Sequence, residues 1–524
     1  MTRRSSLRWT PAVLLLVGIA AACDDDDGGS PASAGTSSSG TAGSNTGGSA
    51  GSSGKAYGGV APGQAGESLG GGPASAGGAG GVSDAGEPSG GAGAAGDAAG
   101  GAAGSGSLDD LYRATYPASP YPAENPDSEP KALLGKILFW EEQLGGDGTV
   151  ACGTCHRPNA GGSDPRSSTP DAAAPGPDGI LGTADDVHGS LGVVRCNAQG
   201  VHTGQSAQLT TRKAPTYLDA MFPQSLFWDG RAECAKAGCP SPSAFEDPDH
   251  PGTYAIRSGG ALENQAVGPP LSDVEMACEG ASWTAIHARL ATATPLAKAK
   301  QIPAPLADFI AAHDSSYPKL FEAAFGTAQS SGPADEINTR RIAFAIATHE
   351  RRLRSNQTPW DRWNAGESEA LTPAQQRGLE LFAHKARCEQ CHRAPTFQDA
   401  DFHFIGFHEP SWDLGRKAVS PQYGVPGAMR TPTLRNVGLR EATGLLHNGA
   451  GPGASLDTIV DLYDLGGLVD NPLVTAVPIS ATILPLNLSD DEKADLLDFL
   501  RHSLEDPRVA AQLPPFDRPL LSSE

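Results

Sequence analysis

Two short segments of the 524-residue chain repeat one spacing of cysteine and histidine, and this spacing strongly limits what the chain can fold around. Each segment has two cysteines three positions apart and a histidine directly after the second: Cys152, Cys155 and His156 in the first segment, and Cys388, Cys391 and His392 in the second. Thiols at this spacing can add to the two vinyl groups of one porphyrin, and the adjacent histidine then lies under the iron. We therefore predict two covalently bound haems of the c type, with His156 and His392 as iron ligands.

A zinc site or a redox-active cysteine pair is the alternative use of such a motif. Zinc bound by cysteine and histidine needs four ligands close together, either as two cysteine pairs or as one pair with two histidines. The two motifs begin at positions 152 and 388, far apart along the chain. Haem attachment is therefore the preferred interpretation.

The first residues have the pattern of an export signal. Basic residues come first in residues 1–22, and an apolar run follows that is too short to remain in a bilayer as a spanning helix. The run ends in small residues before Cys23, as in bacterial lipoprotein signals. We predict that Cys23 is lipidated and anchors the protein to a membrane of the cell envelope, in the periplasm. An ordinary signal peptide beside a cysteine is the alternative.

The next segment, residues 23–107, consists mostly of glycine, serine and alanine. Such a composition cannot bury enough apolar surface to offset the entropy lost on folding, so we predict a disordered linker. The rest of the chain is long enough for two domains, which we place at residues 108–345 and 346–524. Helical patterns outnumber strand patterns, so the predicted fold is mainly α and loop-rich, with two c-type cytochrome domains in tandem.

Apolar periodicity and capping residues predict the main helices. Thr372, followed by Pro373, and Ser489 are the expected N-caps of two of them. The predicted helices cover residues 131–140, 283–293, 334–353, 371–382 and 488–504. Residues 164–208 are rich in glycine, aspartate and proline and are predicted to form a loop. Within this loop, residues 178–186 have the pattern of a calcium-binding turn, with a solvated acidic loop as the alternative.

The charge and the remaining cysteines add two constraints. The chain has 38 basic and 60 acidic residues, a net charge of −22, which disfavours nucleic acid as a partner. Of the nine cysteines, four lie outside the haem motifs and the signal: Cys196, Cys234, Cys239 and Cys278. In an exported protein these can form two disulfides, in any of three pairings.

Further blocks of sequence follow the first haem motif in a fixed order. They include residues 214–216, 227–231, 265–269, 431–436 and 447–449. Together with the two haem motifs, this series resembles the bacterial di-haem cytochrome c peroxidases and their MauG relatives, over about residues 133–504. The resemblance implies oxidation driven by hydrogen peroxide at the first haem, with electrons supplied through the second.

The resemblance also implies roles for three residues. Trp228 fits the tryptophan that relays electrons between the haems, and Gln265 and Glu275 fit the pair that lines the peroxide pocket. Glu275 follows Gln265 by ten positions, as in the family. A carboxylate over an open haem iron can move a proton between the two oxygens of peroxide, and an amide can orient the molecule. The segment between Trp228 and Gln265 is longer than in the family, with an extra loop at residues 233–261.

Two departures argue against the calcium ion that the resemblance places between the haems. Lys213 stands two residues before Pro215, where the family has an asparagine, and its charge would repel a cation. The carbonyl groups that complete the site would come from residues 440–446, a segment that is longer here and lacks the expected proline.

The remaining iron ligands distinguish peroxidases from MauG. Alignment on Pro432 places Tyr463 as the sixth ligand of the second haem, as in MauG, whereas a core tyrosine with Met429 as the ligand is the alternative. At the first haem, His202 is the nearest candidate for a distal ligand and His188 lies farther away. If neither binds, that iron is open to peroxide.

The leading hypothesis is thus a peroxide-dependent di-haem oxidoreductase. Its expected partners are hydrogen peroxide and either a small redox protein or an oxidisable protein substrate. The alternative from another class is a di-haem cytochrome that only transfers electrons. The presence of both Gln265 and Glu275 argues against that alternative.

Overall fold

The computed structural model describes residues 114–524, apart from residues 184, 235, 237, 327–335, 450–454, 468–476 and 478. The predicted signal at residues 1–22, Cys23 and the linker at residues 23–107 lie outside the described residues. In the described part, no helix is both long and apolar enough to cross a lipid bilayer. The described residues belong to one compact unit.

Helices dominate the first half of the described chain. They are α1 (Glu129–Phe139), α2 (Cys152–Cys155), α3 (Ala261–Ala266), α4 (Trp283–Leu290), α5 (Ala304–Ala311), α6 (Tyr317–Phe325) and α7 (Thr339–Glu350). Short 3₁₀ helices lie between them at Glu142–Leu144, Pro158–Ala160, Pro165–Ser168, Pro170–Ala172 and Pro269–Leu271.

The second half of the described chain is also mainly helical. Its α-helices are α8 (Pro359–Asn364), α9 (Pro373–Ala383), α10 (Arg416–Val419), α11 (Val437–Glu441), α12 (Leu456–Leu465), α13 (Asp490–Asp498) and α14 (Pro507–Ala510). Two 3₁₀ helices occur at Ser368–Ala370 and Cys388–Gln390, and a π-helical turn at Phe499–Ser503 extends α13.

Strands form four small antiparallel pairs among the described residues. The pairs are β1 (Ala173–Ala174) with β2 (Val187–His188), β3 (Leu191–Cys196) with β4 (His202–Leu209), β5 (Phe245–Glu246) with β6 (Tyr254–Ile256), and β7 (Phe402–His403) with β8 (Met429–Arg430). The loop predicted at residues 164–208 is therefore wrong for β3 and β4. Polar residues fill β4, which is largely exposed, so apolar alternation did not reveal this hairpin.

The two predicted N-caps agree with the structure, whereas the helix predicted from residue 334 begins at Thr339 among the described residues. Thr372 Oγ1 accepts a hydrogen bond from the Gln375 amide at 3.2 Å, and Ser489 Oγ accepts one from the Glu492 amide at 3.3 Å. Both helices also carry the reciprocal bond from the residue at the third position, which completes a capping box. These caps could be predicted from the sequence because each one joins residues that are only three positions apart.

Buried side chains form two large hydrophobic cores. The first gathers residues from α1, α4, α5, α6 and α7, and the second gathers residues from α8, α9, α12 and α13. Leu353 belongs to the first core, and Trp360 belongs to the second. The domain boundary predicted at residues 345 and 346 falls inside α7, which belongs to the first core.

The last residues of the chain return to the first core. Val509, Phe516 and Leu521 are buried in it. The carboxylate of Glu524 lies 2.5 Å from the guanidinium of Arg157, the residue that follows the first haem histidine. Both halves of the chain therefore build the surroundings of the first haem motif.

Helices α1 and α7 approach each other so closely that a glycine is required at the contact. A methyl group on Gly135 would lie 1.9 Å from the carbonyl oxygen of Ala345, which is far inside van der Waals contact. The first haem motif follows α1, so this contact also sets the place of the motif.

We expect Gly135→Ala to lower the free energy of unfolding by about 1–3 kcal/mol, because the added methyl group forces two packed helices apart. The measurement is thermal or denaturant unfolding of the haem-loaded protein. Gly268→Ala is the matched control, since its methyl group would meet nothing closer than 3.5 Å. Equal stability of the two variants would contradict this account of the packing.

Candidate functional site

Each of the two Cys-x-x-Cys-His motifs opens onto its own cavity. The first cavity is lined by Cys152, Cys155 and His156. The second is lined by Cys388, Cys391 and His392. These four thiols are unpaired, whereas the other described cysteines form the disulfides Cys196–Cys278 and Cys234–Cys239. The structure thus selects one of the three possible pairings.

The two haem histidines are oriented in the same way. Nδ1 of His156 lies 3.2 Å from the carbonyl oxygen of Gly162, and Nδ1 of His392 lies 3.1 Å from that of Phe397. A carbonyl oxygen can only accept, so Nδ1 carries the proton and Nε2 keeps the lone pair that binds iron. Burial lowers the pKa of both imidazoles, that of His392 to about 4, which keeps them in the neutral form that binds iron. Thiols and imidazoles therefore fit a haem in each cavity.

Gln265 and Glu275 both line the first cavity, as His156 does, and neither lines the second. Gln265 lies near the end of α3, and Glu275 lies four residues beyond a 3₁₀ helix. Burial raises the pKa of the Glu275 carboxyl group, although Arg231 lowers it in part. The two residues that the resemblance assigns to one pocket therefore line the same cavity.

A disulfide-linked strand holds the segment around Glu275. The carbonyl oxygen of Glu275 accepts a hydrogen bond from the Val193 amide of β3 at 3.0 Å. Cys196, at the end of β3, is bonded to Cys278, three residues after Glu275. The hairpin that the sequence failed to predict thus fixes the position of a predicted site residue.

The two candidate distal histidines lie away from the first cavity. His202 is exposed on β4, and its Nε2 lies 2.8 Å from a carboxylate oxygen of Asp147. His188 donates from Nδ1 to the Ser167 carbonyl at 3.1 Å. Within the described ranges, His156 is the one histidine that lines this cavity. The structure does not place His202 or His188 over the first haem.

Six residues face both cavities and form a wall between them, which we call the shared wall. It consists of Lys213, Ala214, Pro215, Thr216, Trp228 and Arg430. Trp228 donates from Nε1 to the Lys213 carbonyl at 2.8 Å, and its ring meets that of His447 edge to face at 6.4 Å. Its main-chain oxygen accepts a bond from the Arg430 amide at 2.7 Å. Trp228 therefore occupies a fixed position between the two cavities.

Both candidates for the sixth ligand of the second haem reach the second cavity. Tyr463, on α12, and Met429, on β8, line it together with His392. Burial raises the pKa of the Tyr463 phenol, and the thiols of Cys388 and Cys391 raise it further. The Tyr463 ring packs edge to face on Phe407 at 4.7 Å.

Glu350 is a cavity residue that the sequence did not reveal. It is buried at the end of α7 and lines the first cavity, and its Oε2 has no hydrogen-bond partner among the described residues. Burial raises the pKa of its carboxyl group to about 8, so the neutral acid predominates at pH 7. The neighbouring Arg351 forms its salt bridge with Glu263, at 2.6 Å.

One further group of potential ligands lies beside the second haem motif. In the described part of the chain, only Cys391, Asp399 and His403 converge as three metal-binding side chains, and Cys391 belongs to the haem motif. A hydrogen bond to Asp399 at 2.8 Å raises the pKa of His403 to about 10 and keeps this histidine protonated at neutral pH.

The predicted calcium-binding turn at residues 178–186 does not form such a group. There Asp178 and Asp186 accept hydrogen bonds from main-chain amides of the same turn, at 2.7 and 2.6 Å. Asp185 accepts one from the Asp178 amide at 2.8 Å. Asp185 and Asp186 are buried, and Oδ1 of Asp186 has no hydrogen-bond partner among the described residues. The calcium-binding turn therefore stays a prediction.

Comparison with known proteins gives consistent matches. A family model described as di-haem cytochrome c peroxidase matches residues 129–369. The methylamine utilization protein MauG of Methylophilus methylotrophus is 28% identical over 399 residues, which cover 75% of this chain and 88% of MauG. Cytochrome c peroxidase Ccp of Escherichia coli K12 is 27% identical over 330 residues, covering 62% of this chain and 51% of Ccp.

A solved structure shows the same fold. It is a MauG-like protein associated with microbial copper homeostasis, and it is 24% identical, with a TM-score of 0.52 over 76% of this chain and 96% of that protein. Together with the two cavities and their motifs, these matches show that the chain is related to the di-haem cytochrome c peroxidases and the MauG proteins, and they support a peroxide-using oxidoreductase with two haems.

Proposed function

We propose that hydrogen peroxide reacts in the first cavity and that electrons reach it from the second cavity through Trp228. The observation that carries this proposal is the unequal lining of the cavities. Gln265 and Glu275 line the first cavity alone, Tyr463 lines the second alone, and Trp228 faces both. One cavity thus has groups for proton transfer, and the other has candidates for a sixth ligand.

The residues of the first cavity have distinct chemical roles in this proposal. A haem held by His156 would supply an iron at which the O–O bond of peroxide could be cleaved. As a carboxylate, Glu275 accepts a proton from one peroxide oxygen and returns it to the other, which leaves as water. The amide of Gln265 donates a hydrogen bond that orients the peroxide. Neither His202 nor His188 lines this cavity, which supports an iron that is accessible to peroxide.

We expect Glu275→Gln to slow peroxide consumption by about 10²–10⁴-fold, the usual contribution of a general acid–base group. The pKa of Glu275 is raised by burial. In the wild type the rate should therefore fall as the pH drops through that raised pKa, because the protonated carboxyl group cannot accept a proton. This acid limb should be missing in the variant.

The measurement is the steady-state and single-turnover rate of peroxide consumption as a function of pH. Glu279→Gln is the matched control, because Glu279 is exposed on the same segment and does not line the cavity. A wild-type protein with two low-spin haems that does not consume peroxide would contradict the proposal. That result would favour the alternative of electron transfer alone.

We expect Trp228→Phe to slow the oxidation of the second haem after peroxide addition, because phenylalanine is much harder to oxidise than tryptophan. The reaction of the first haem with peroxide should keep its rate. Stopped-flow spectroscopy separates the two steps. Trp412→Phe is the control, since Trp412 is partly exposed and lines neither cavity. An unchanged second step in the Trp228 variant would exclude the relay role.

For the second haem we propose Tyr463 as the sixth ligand, as in MauG. Its place on α12, in the wall of the second cavity, supports this assignment. Met429 precedes Arg430, a residue of the shared wall, and remains the competing ligand. A phenolate is a hard ligand that stabilises higher oxidation states, whereas a thioether is soft and raises the potential.

We expect Tyr463→Phe to change the absorption and EPR spectra of the second haem and to raise its reduction potential. Met429→Leu should leave both unchanged. The variants form a matched pair, because both residues line one cavity. The reverse pattern, with Met429→Leu alone changing the spectrum, would assign methionine as the ligand.

The proposed setting of the enzyme is the cell envelope. The signal at residues 1–22 supports export, and lipidated Cys23 would anchor the chain through the linker at residues 23–107. The electrons would come from a small redox protein or from oxidisable side chains of a protein substrate. The two hydrophobic cores support the proposed arrangement of two cytochrome domains, each around one haem.

A further inference from the structure

Lys213 connects the two haem cavities through three hydrogen bonds. Its carbonyl oxygen accepts the indole hydrogen of Trp228 at 2.8 Å, and its amide donates to the carbonyl oxygen of His447 at 2.8 Å. Its side-chain Nζ donates to the carbonyl oxygen of Gly444. One residue therefore holds the tryptophan on one side and the segment from Gly444 to His447 on the other.

The side chain of Lys213 is deeply buried and lacks an acidic hydrogen-bond partner among the described residues. Only 3% of the residue is exposed, and the bond from Nζ goes to a main-chain oxygen. Burial lowers the pKa of Lys213 to about 7, and nearby Arg440 lowers it further, whereas Asp164 opposes this effect. A buried charged amine is costly unless hydrogen bonds or an ion pair compensate for its desolvation, and a lowered pKa reduces this cost because it favours the neutral amine.

These surroundings do not fit a calcium ion between the haems. Calcium takes six to eight oxygen ligands. Here Nζ of Lys213 already occupies the Gly444 carbonyl, in the segment that would have to provide the ligands, and the Arg440 guanidinium is bound to the carbonyl of Arg435 at 2.7 Å. A divalent ion in this place would have to displace one amine and lie near a guanidinium.

We propose that Lys213 joins the two halves of the shared wall in place of a calcium ion and thereby holds Trp228 in position without a bound metal. Lys213 is a positioning residue, because it acts through Trp228. The functional part of this inference rests on the proposed relay, whereas the structural part concerns the metal content and stability of the wall alone.

The structural part is tested on the haem-loaded protein by metal analysis and by thermal unfolding with EGTA or with added calcium chloride. We expect no stoichiometric calcium in the wild type and an unchanged unfolding midpoint under both conditions. One tightly bound calcium per chain, or a midpoint that falls on chelation, would overturn the proposal, whether or not Trp228 carries electrons.

The positioning role is tested with Lys213→Met, which keeps the length of the side chain and removes its donor. We expect the unfolding midpoint to fall and the oxidation of the second haem to slow by about 10- to 100-fold, as small displacements of reacting groups do. The reaction of the first haem with peroxide should be unchanged. Lys300→Met is the control, since Lys300 is exposed and lines neither cavity.

The two parts of the inference fail separately. If Lys213→Met matches the control in both midpoint and second-haem oxidation, the positioning role is wrong. If Trp228→Phe leaves the second step unchanged, the relay is wrong, and the metal analysis and unfolding midpoints still decide whether Lys213 replaces calcium.

Discussion

The arrangement of this protein depends on the contact of two haem cavities through one shared wall. The wall is made of a short stretch, residues 213–216, together with Trp228 and Arg430. Main-chain hydrogen bonds fix its parts, since Arg430 binds the carbonyl of Trp228 and Lys213 binds that of His447. A residue within this wall lines both cavities at once. In the proposed function, the cavities can therefore differ in chemistry and still exchange electrons.

The difference between the cavities arises from what each half of the chain adds around the same five-residue motif. Around the first motif, a disulfide and a strand hold Glu275, and Glu350 contributes a further carboxyl group, which is buried. Around the second motif, the described lining is mostly apolar and includes Tyr463 and Met429. In the proposed function, proton-handling groups and electron storage are thus separated in space, which would allow each haem to be adjusted independently.

The sequence predicted interactions between residues that are close along the chain, and it missed those between distant residues. Helix caps, such as Thr372 and Ser489, involve residues a few positions apart and were correctly predicted. The hairpin β3–β4 was missed because a disulfide and main-chain bonds hold it, without apolar alternation. Glu350 was missed because only the fold shows that the neighbouring Arg351 binds a distant carboxylate, Glu263. The sequence marked Lys213 as unfavourable for a cation, but only the fold shows the carbonyl that it binds.

The return of the C-terminal residues to the first core has a consequence for how the molecule can be dissected. Phe516 and Leu521 pack beside α1, and Glu524 binds Arg157, next to the first haem histidine. The N-terminal half is therefore not a module that could be separated from the rest and still hold its haem in the same surroundings. During synthesis, the first haem motif leaves the ribosome long before the residues that enclose it. Its pocket reaches its final form only when residues more than 350 positions later have folded back.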